Sequence, residues 1–254
     1  MSSLPETDFT AGTLFIGDLH LDAAVPESCT DFSAWLRSIA GCPRLVILGD
    51  LFDAWVGPAH ARLAGAGAVL KALADLHQGG TAIDLIPGNR DFLLGADFEA
   101  RTGSSMRALG LIGRLPGSGG TAGRVLCVHG DELCTLDLAY QRLKRTLRSR
   151  PVRWLAPRMP DAAALWVARR LRGASRQALA HKPPASKAQQ ISAVLELAAG
   201  QECGLLVCGH AHLFRDEQTA GGVRWMVVDA FGGRRDVLHV SPEGALEPLS
   251  SRAR

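Results

Sequence analysis

The chain has 254 residues, of which 47% are hydrophobic and 21% charged, the balance of an ordinary globular enzyme and not of a disordered or fibrous chain. With 28 basic and 25 acidic side chains the net charge is only +3, which argues against a dedicated nucleic-acid binder. The polar first dozen residues, the absence of an apolar run of ~18 residues and six widely spaced cysteines argue against a secretory signal, a membrane span and a disulfide scaffold, and predict a cytoplasmic protein with buried free thiols.

In chain order, residues 13–16 form a short branched apolar run, the sequence form of a buried strand, and lead into Gly17-Asp18-Leu19-His20. A helical pattern follows at about 31–40. The run 45–48 ends at Gly49-Asp50. After a second helical segment, 61–78, the run 82–86 passes through Pro87 to Gly88-Asn89-Arg90-Asp91. A helix at 96–103 precedes Gly117-Ser118-Gly119-Gly120, which lacks the lysine of a P-loop and reads as a hairpin turn. The run 125–128 then delivers His129-Gly130-Asp131.

Residues 137–188 differ in character and predict a helical insert. Leu136, Tyr140, Leu143 and Leu147 recur at the spacing of one helix face, and Pro151, Pro157 and Pro160 interrupt the chain. A second helix follows, with Asp161 as N-cap and Ala164, Val167, Leu171 and Ala178 on one stripe, until Pro183-Pro184 closes it. From Gln141 to Lys187 there are thirteen Lys or Arg and a single acid, Asp161, so a basic block sits inside an acidic body. The plain reading of such a run is a solvated face. Trp154, Leu155, Leu165 and Trp166 among the arginines favour instead an anionic amphiphile or the headgroup layer of a membrane. Nucleic acid, the competing polyanion, ranks lower because no recognition motif accompanies the charge.

Beyond the insert, a helix at 187–199 leads to the run 205–208 and to Gly209-His210-Ala211-His212. Residues 223–229 and 236–240 read as further strands, antiparallel, which argues against a purely parallel doubly wound sheet. Strands alternating with helices predict one mixed α/β domain over 1–254.

Four of these five apolar runs thus lead to glycine followed by Asp, Asn or His, and the run 125–128 leads to His129 with Gly130 after it. Glycine lets the chain turn and approach an ion closely, and strands of one sheet bring such ends to one edge. The residues delivered are Asp18, His20, Asp50, Asn89, His129, His210 and His212. Carboxylate, amide oxygen and imidazole form a borderline-hard donor set, suited to manganese, iron or zinc and less to calcium. Seven donors exceed the needs of one ion and fit two ions sharing a carboxylate, the arrangement used for hydrolysis of phosphate esters or anhydrides. Each short motif alone is weak; the repetition carries the reading.

The constellation resembles the calcineurin-like metallophosphoesterases, whose motifs run Asp-x-His, Gly-Asp, Gly-Asn, His and Gly-His-x-His. That resemblance implies two mixed β-sheets packed as a sandwich flanked by helices. It implies one metal held by Asp18, His20, Asp50 and His212, a second by Asp50, Asn89, His129 and His210, and Asp50 bridging them beside the nucleophilic hydroxide. Gly88-Asn89-Arg90-Asp91-Phe92, Gly49-Asp50-Leu51-Phe52-Asp53-Ala54-Trp55 and His129-Gly130-Asp131-Glu132-Leu133, followed by Tyr140 and a basic insert, are similar to the UDP-2,3-diacylglucosamine hydrolases of lipid A synthesis.

In that family two divalent ions, manganese expected, serve cleavage of a lipid-linked nucleotide sugar at the cytoplasmic face of the inner membrane, with the insert as lid and membrane contact. The positions matching its substrate contacts are Asn89, Arg90, Tyr140, Arg172, Ser175 and Lys182. The chain departs from the family pattern at Pro58-Ala59-His60, at Ala211 and Leu213-Phe214, and over 183–190.

An arginine at position 90 stays cationic at neutral pH, so it suits clamping a diphosphate and stabilising transition-state charge rather than donating a proton. Asp22, Asp53 and Asp131 would orient ligand histidines or simply cap turns. His60, His77, His181 and His239 show no ligand spacing, and Trp55 reads as core. Two rival readings are a metallophosphodiesterase of another nucleotide or phosphodiester, and a scaffold that keeps the fold without catalysis.

Overall fold

The computed structural model describes residues 3–181 and 183–252, with the side chains of 174–181, 184 and 185 outside the description. Two six-stranded mixed sheets form its frame. One sheet runs, in spatial order, Leu246–Leu249, Val237–Val240, Leu14–Ile16, Arg44–Ile47, Ala82–Leu85 and Ser105–Met106. The last four are parallel to one another, while Val237–Val240 joins Leu14–Ile16 antiparallel. The other runs Glu6–Asp8, Leu111–Arg114, Arg124–Cys127, Leu205–Cys208, Arg224–Val227 and Arg215–Gln218. Here Arg124–Cys127, Leu205–Cys208 and Arg224–Val227 are mutually parallel, and Arg215–Gln218 closes the edge antiparallel.

Strand periodicity sorts the apolar residues between layers, because alternate side chains face opposite ways. Phe15, Val46 and Leu48 of one sheet meet Val125, Cys127, Leu205 and Val207 of the other in a shared core. Their neighbours Leu14, Ile16, Leu45 and Ile47 turn outward onto the helices Pro26–Ser38 and Ala64–Gln78, through Phe32, Trp35, Val69 and Leu73. On the far side, Leu126, Leu206 and Cys208 pack on Val194 and Ala198 of the helix Ile191–Ala199. Strands covered on both faces need no polar alternation, which is why they read as unbroken apolar runs. The α/β sandwich flanked by helices is therefore the architecture adopted. All six cysteines are free thiols and five are buried, and Trp55 is core, 2% exposed.

The described residues between 137 and 188 form the helices Leu138–Leu147, Arg150–Leu155, Asp161–His181 and Pro184–Lys187, with a 3-10 turn Ala156–Arg158. Details differ. Asp137, not Leu136, begins the first helix, its carboxylate accepting the Tyr140 N–H at 3.1 Å, and no residue of that helix is fully buried. Asp161 lies inside the first turn of the long helix and pairs with Arg62 instead of capping. The buried line of that helix is Ala164 and Ala168, set against Val56 and Ala59, with Val167 and Leu171 only half-buried. Small alanines let the helix sit close to the loop it covers. Ala178 lies where side chains are not described.

The strand predicted at 223–229 pairs in both senses, parallel to Leu205–Cys208 and antiparallel to Arg215–Gln218, so the antiparallel expectation holds on one side only. The glycine run 117–120 connects the antiparallel strands Leu111–Arg114 and Arg124–Cys127, as a hairpin turn should. No described helix is long and apolar enough to cross a membrane.

Candidate metal centre

The five strands end on one edge of the sandwich, and the loops that follow are laced together. Asp18 N–H donates to Gly49 O at 3.1 Å, His20 N–H to Asp50 O at 2.9 Å and Leu21 N–H to Leu51 O at 3.0 Å. From the other sheet, Gly209 N–H reaches His129 O at 2.9 Å. Close approach requires glycine at two points. A Cβ on Gly49, whose φ is +95°, would lie 2.5 Å from His129 Nδ1, and one on Gly88 would overlap the carboxylate and amide of Asp50.

The loops carry unusual backbone. Among the described residues, six non-glycine residues have a left-handed φ, and five are Asp18, His20, Asp50, His210 and His212, at 49–71°. Each such residue costs of order 1–3 kcal/mol, so the surrounding ladder must hold it there.

The seven predicted donors converge. Ligand atoms of Asp18, His20 and His212 lie within 4.8 Å of one another, and so do those of Asp18, Asp50 and His129. Asn89 Oδ1 stands 3.1 Å from both His129 Nε2 and His210 Nδ1. His20 Nδ1 and His129 Nε2 approach Asp50 at 3.7 and 3.8 Å, on its two different oxygens. Asp50 thus faces both halves of the cluster. Burial grades outward: Asp18, Asp50 and His129 are buried, His20, Asn89 and His210 intermediate, and His212 exposed.

These contacts test whether the set suits cations. Asp18 Oδ1 and His20 Nδ1 are buried without a hydrogen-bond partner, a costly state for a carboxylate oxygen. His129 donates Nδ1–H to Leu48 O at 2.7 Å, so once its ring is neutral the Nε2 lone pair faces Asn89 Oδ1. His20 Nε2 and His212 Nε2 face each other at 3.0 Å. Lone pairs converging on lone pairs are satisfied together by positive ions, and the residues fit a pair of divalent metals.

The electrostatics of the protein alone show the same demand. Burial raises the Asp50 carboxyl to about 7 against the pull of His129, and burial also raises Asp18. His129 is lowered by burial yet carried up to about 9 by the carboxylates of Asp50, Asp131 and Asp18. His20 and His210 fall to about 3, mainly through burial, with help from Arg90 and His212 at the first and from His129 and His212 at the second. Buried carboxylates that draw protons to themselves and to His129, beside His20 and His210 that refuse one, make a site short of positive charge.

The predicted substrate contacts divide. Arg90 belongs to the cluster: its N–H donates to Asp50 Oδ1 at 2.9 Å and its guanidinium to Asp53 at 2.5 Å. Arg172 reaches the same loops, donating to Asp53 at 2.9 Å and to Asp22 at 3.4 Å. The Tyr140 hydroxyl donates to the buried carboxylate of Asp131, which also receives Lys144 Nζ at 2.7 Å. Lys182 lies outside the described residues, as does the side chain of Ser175.

Of the three ambiguous aspartates, Asp22 caps a turn through Ala24 N–H at 3.0 Å and also receives Arg172, while Asp53 and Asp131 hold Arg172 and Lys144 of the helical segment. The structure also recruits residues that spacing did not single out. Buried Asp91 accepts from Gly88, Leu51 and Phe52 N–H at 2.8, 2.7 and 3.3 Å, fixing the Asn89 loop to the Asp50 loop. Arg148 donates to Gly88 O at 3.0 Å, and Gln189 to Gly130 O and Gly209 O at 3.2 and 3.0 Å. Asp91 stood in the Gly-Asn-Arg-Asp run and was open to notice. Arg148 was one cation among thirteen, and Gln189 carried no signal.

Residues 12–214 match the calcineurin-like phosphoesterase family. The chain is 38% identical over 206 residues to the UDP-2,3-diacylglucosamine hydrolase of Aeromonas salmonicida, covering 79% of this chain and 77% of that one. It is 36% identical over 249 residues to the protein of the same name from Ralstonia nicotianae, covering 91% and 86%.

Proposed function

We propose the reaction from one premise: the chain belongs to the calcineurin-like phosphoesterase family, and within it to the UDP-2,3-diacylglucosamine hydrolases. It is a metal-dependent hydrolase that cleaves the diphosphate of UDP-2,3-diacylglucosamine to UMP and 2,3-diacylglucosamine 1-phosphate. The observation that carries this reading is the cluster of seven donors at five strand ends, with Asp18 Oδ1 buried and unsatisfied at its centre.

In this reading Asp18, His20, Asp50 and His212 hold one ion, and Asp50, Asn89, His129 and His210 the other. Manganese is the ion we assign, on the oxygen and imidazole donors and the absence of thiolate. Bound there, a divalent pair supplies Lewis acidity toward the phosphoryl oxygens and activation of the attacking water.

The chain's own residues do the rest. The Leu48 carbonyl fixes the His129 tautomer, leaving Nε2 as donor. Arg90 binds the diphosphate with its guanidinium and stabilises charge growing on it. Whichever phosphorus the water attacks, the group expelled is a phosphate monoester anion, so it needs no strong acid, and the chain places an arginine at position 90, where it cannot supply one.

We read residues 137–188 as a lid within a single domain. Between the long helix and the catalytic loops lies an open cleft of about 150 Å³, lined in part by the apolar Leu21, Ala54, Leu63 and Leu165 and the cations Arg169 and Arg172, a mix that suits one part of an amphiphile. Trp154, Leu155 and Trp166 are more than half exposed on this segment among its arginines. That pairing supports contact with an anionic membrane surface, which we take to be the cytoplasmic face of the inner membrane. Arg172, Ser175 and Lys182 remain our candidates for the sugar-phosphate end; Tyr140 acts through Asp131.

The test is a side-by-side assay of UDP-2,3-diacylglucosamine, bis(p-nitrophenyl) phosphate and dinucleotides with the metal-loaded protein. Preference for the lipid by about 100-fold or more is expected, from acyl and sugar contacts that small diesters lack. Equal rates on all three would overturn the substrate, and full activity of Asp50→Ala would overturn the metal assignment.

A further inference from the structure

The geometry points to a role for Asp53 beyond turn formation: we propose that it is a positioning residue shared by Arg90 and Arg172, through which the long helix Asp161–His181 sets the guanidinium beside the metal cluster. The inference rests on the phosphate-hydrolase reading above and adds to it a link between lid and catalytic loop.

Asp53 offers its two oxygens to two different arginines. Oδ1 accepts from Arg90 Nη1 at 2.5 Å and Oδ2 from Arg172 Nη1 at 2.9 Å. The three side chains are only 13–22% exposed, so the charges act at reduced screening. Asp53 itself is held by its N–H to Leu21 O at 3.0 Å. The Arg90 backbone is held at both ends, by Arg90 N–H to Asp50 Oδ1 at 2.9 Å and by Trp55 N–H to Arg90 O at 3.2 Å. Backbone positions are therefore set, and what the carboxylate controls is where the Arg90 fork points.

The competing carboxylate shows why that matters. Arg90 Nε stands 3.7 Å from Asp50 Oδ2, the oxygen facing His20. Without Asp53, the nearest anion for Arg90 is the residue we assign as the shared metal ligand. Asp53 draws the guanidinium aside and keeps Asp50 open. Arg172 enters this balance from the helix, because a carboxylate that also holds Arg172, itself shared with Asp22 at 3.4 Å, grips Arg90 less tightly. Seating of the helix and freedom of the Arg90 fork are thus linked through one side chain.

A mutant box tests the link. Arg90→Gln, Arg172→Gln and the double variant are compared by kcat/KM in the wild-type and D53N backgrounds, with metal content measured throughout. Coupling of about fivefold or more is expected in the wild-type background and less than about twofold in D53N. D53E, which keeps the charge, should recover part of it. Hydrogen exchange on the metal-loaded, substrate-free protein supplies a readout that needs no turnover. Amides of 161–173 should exchange about tenfold faster in D53N and in R172Q, at unchanged metal content.

Coupling that persists in D53N, or exchange of the helix unchanged in both variants, would overturn the proposal. Should D53N not fold, D53E and R172Q decide by the same measurements. Failure of the substrate reading leaves wild type inactive on the lipid while the exchange change remains. Failure of the link leaves the lipid turned over and the exchange change missing.

Discussion

His129, from one sheet, donates its Nδ1–H to the main-chain carbonyl of Leu48, the residue that follows a strand of the other, at 2.7 Å. The bond fastens the two sheets at the edge where the donors gather and leaves Nε2 as the only ring atom free to accept. His129→Ala should lower bound metal from two ions toward one and reduce turnover of the lipid and of bis(p-nitrophenyl) phosphate alike, by about 100-fold or more. Mass spectrometric metal analysis beside the two assays checks this. Two tightly bound ions and full rates would remove His129 from the set.

Gly88→Ala should damage the same centre by shape alone, since its methyl group would overlap Asp50 Oδ1 and the Asp50 amide. An overpacked site of this kind costs about 2–3 kcal/mol, or roughly 5–10 °C in melting temperature, together with lost metal. Calorimetry and metal analysis read the two effects. A variant that melts with wild type and keeps both ions contradicts the packing described.

Metal removal should separate fold from function. Chelation is expected to abolish turnover and to lower the melting temperature, because ions that bind only the folded chain stabilise it by mass action. Manganese should restore both; recovery with zinc but not manganese would overturn our choice of ion.

The exposed Trp154 and Trp166, each 60% exposed, predict a membrane effect. Trp154→Ser combined with Trp166→Ser should weaken binding to vesicles containing anionic lipid by about tenfold, with little change on zwitterionic vesicles. Vesicle sedimentation measures it, and equal binding of wild type and variant would refute the contact.

His60 predicts a pH effect away from the metals. Burial, aided by Arg172 and opposed by Asp22, lowers its imidazole to about 4, and its Nδ1 accepts Val56 N–H at 3.3 Å. The folded state therefore prefers the neutral ring. Its contribution is complete above the unfolded value of 6.5 and is lost as pH falls from there toward 4, by about 1–3 kcal/mol. His60→Asn, which keeps an acceptor for Val56, should flatten that part of the stability profile. Denaturant titrations at pH 7.5 and 4.5 decide, and identical pH slopes would refute it.

Much of this was legible because strands buried on both faces leave continuous apolar runs, and because each run here leads to a donor beside a glycine. A mixed α/β domain and the seven converging residues follow from that rule, while the two-sheet sandwich came from the family resemblance those residues carry. What escaped was long-range or geometric. Asp53 and Arg172 are 119 positions apart, and nothing in either neighbourhood marks them as partners. Arg148 and Lys144 look like any other cations of the basic block until packing turns them toward Gly88 O and Asp131. Asp161 has the chemistry of a cap but was taken by Arg62, a choice made by tertiary neighbours. The two-sided pairing of Arg224–Val227 depends on which strands arrive beside it, which apolar content does not encode.

The left-handed turns at Asp18, His20, Asp50, His210 and His212 bear on how the molecule comes together. The bonds that restrain Asp18, His20 and Asp50 come from loops within residues 18–91, whereas His210 joins them from the other half of the chain, donating its N–H to Asp18 Oδ2 at 2.5 Å. The catalytic edge is consequently complete only where the two halves meet, and neither half of the polypeptide inherits it.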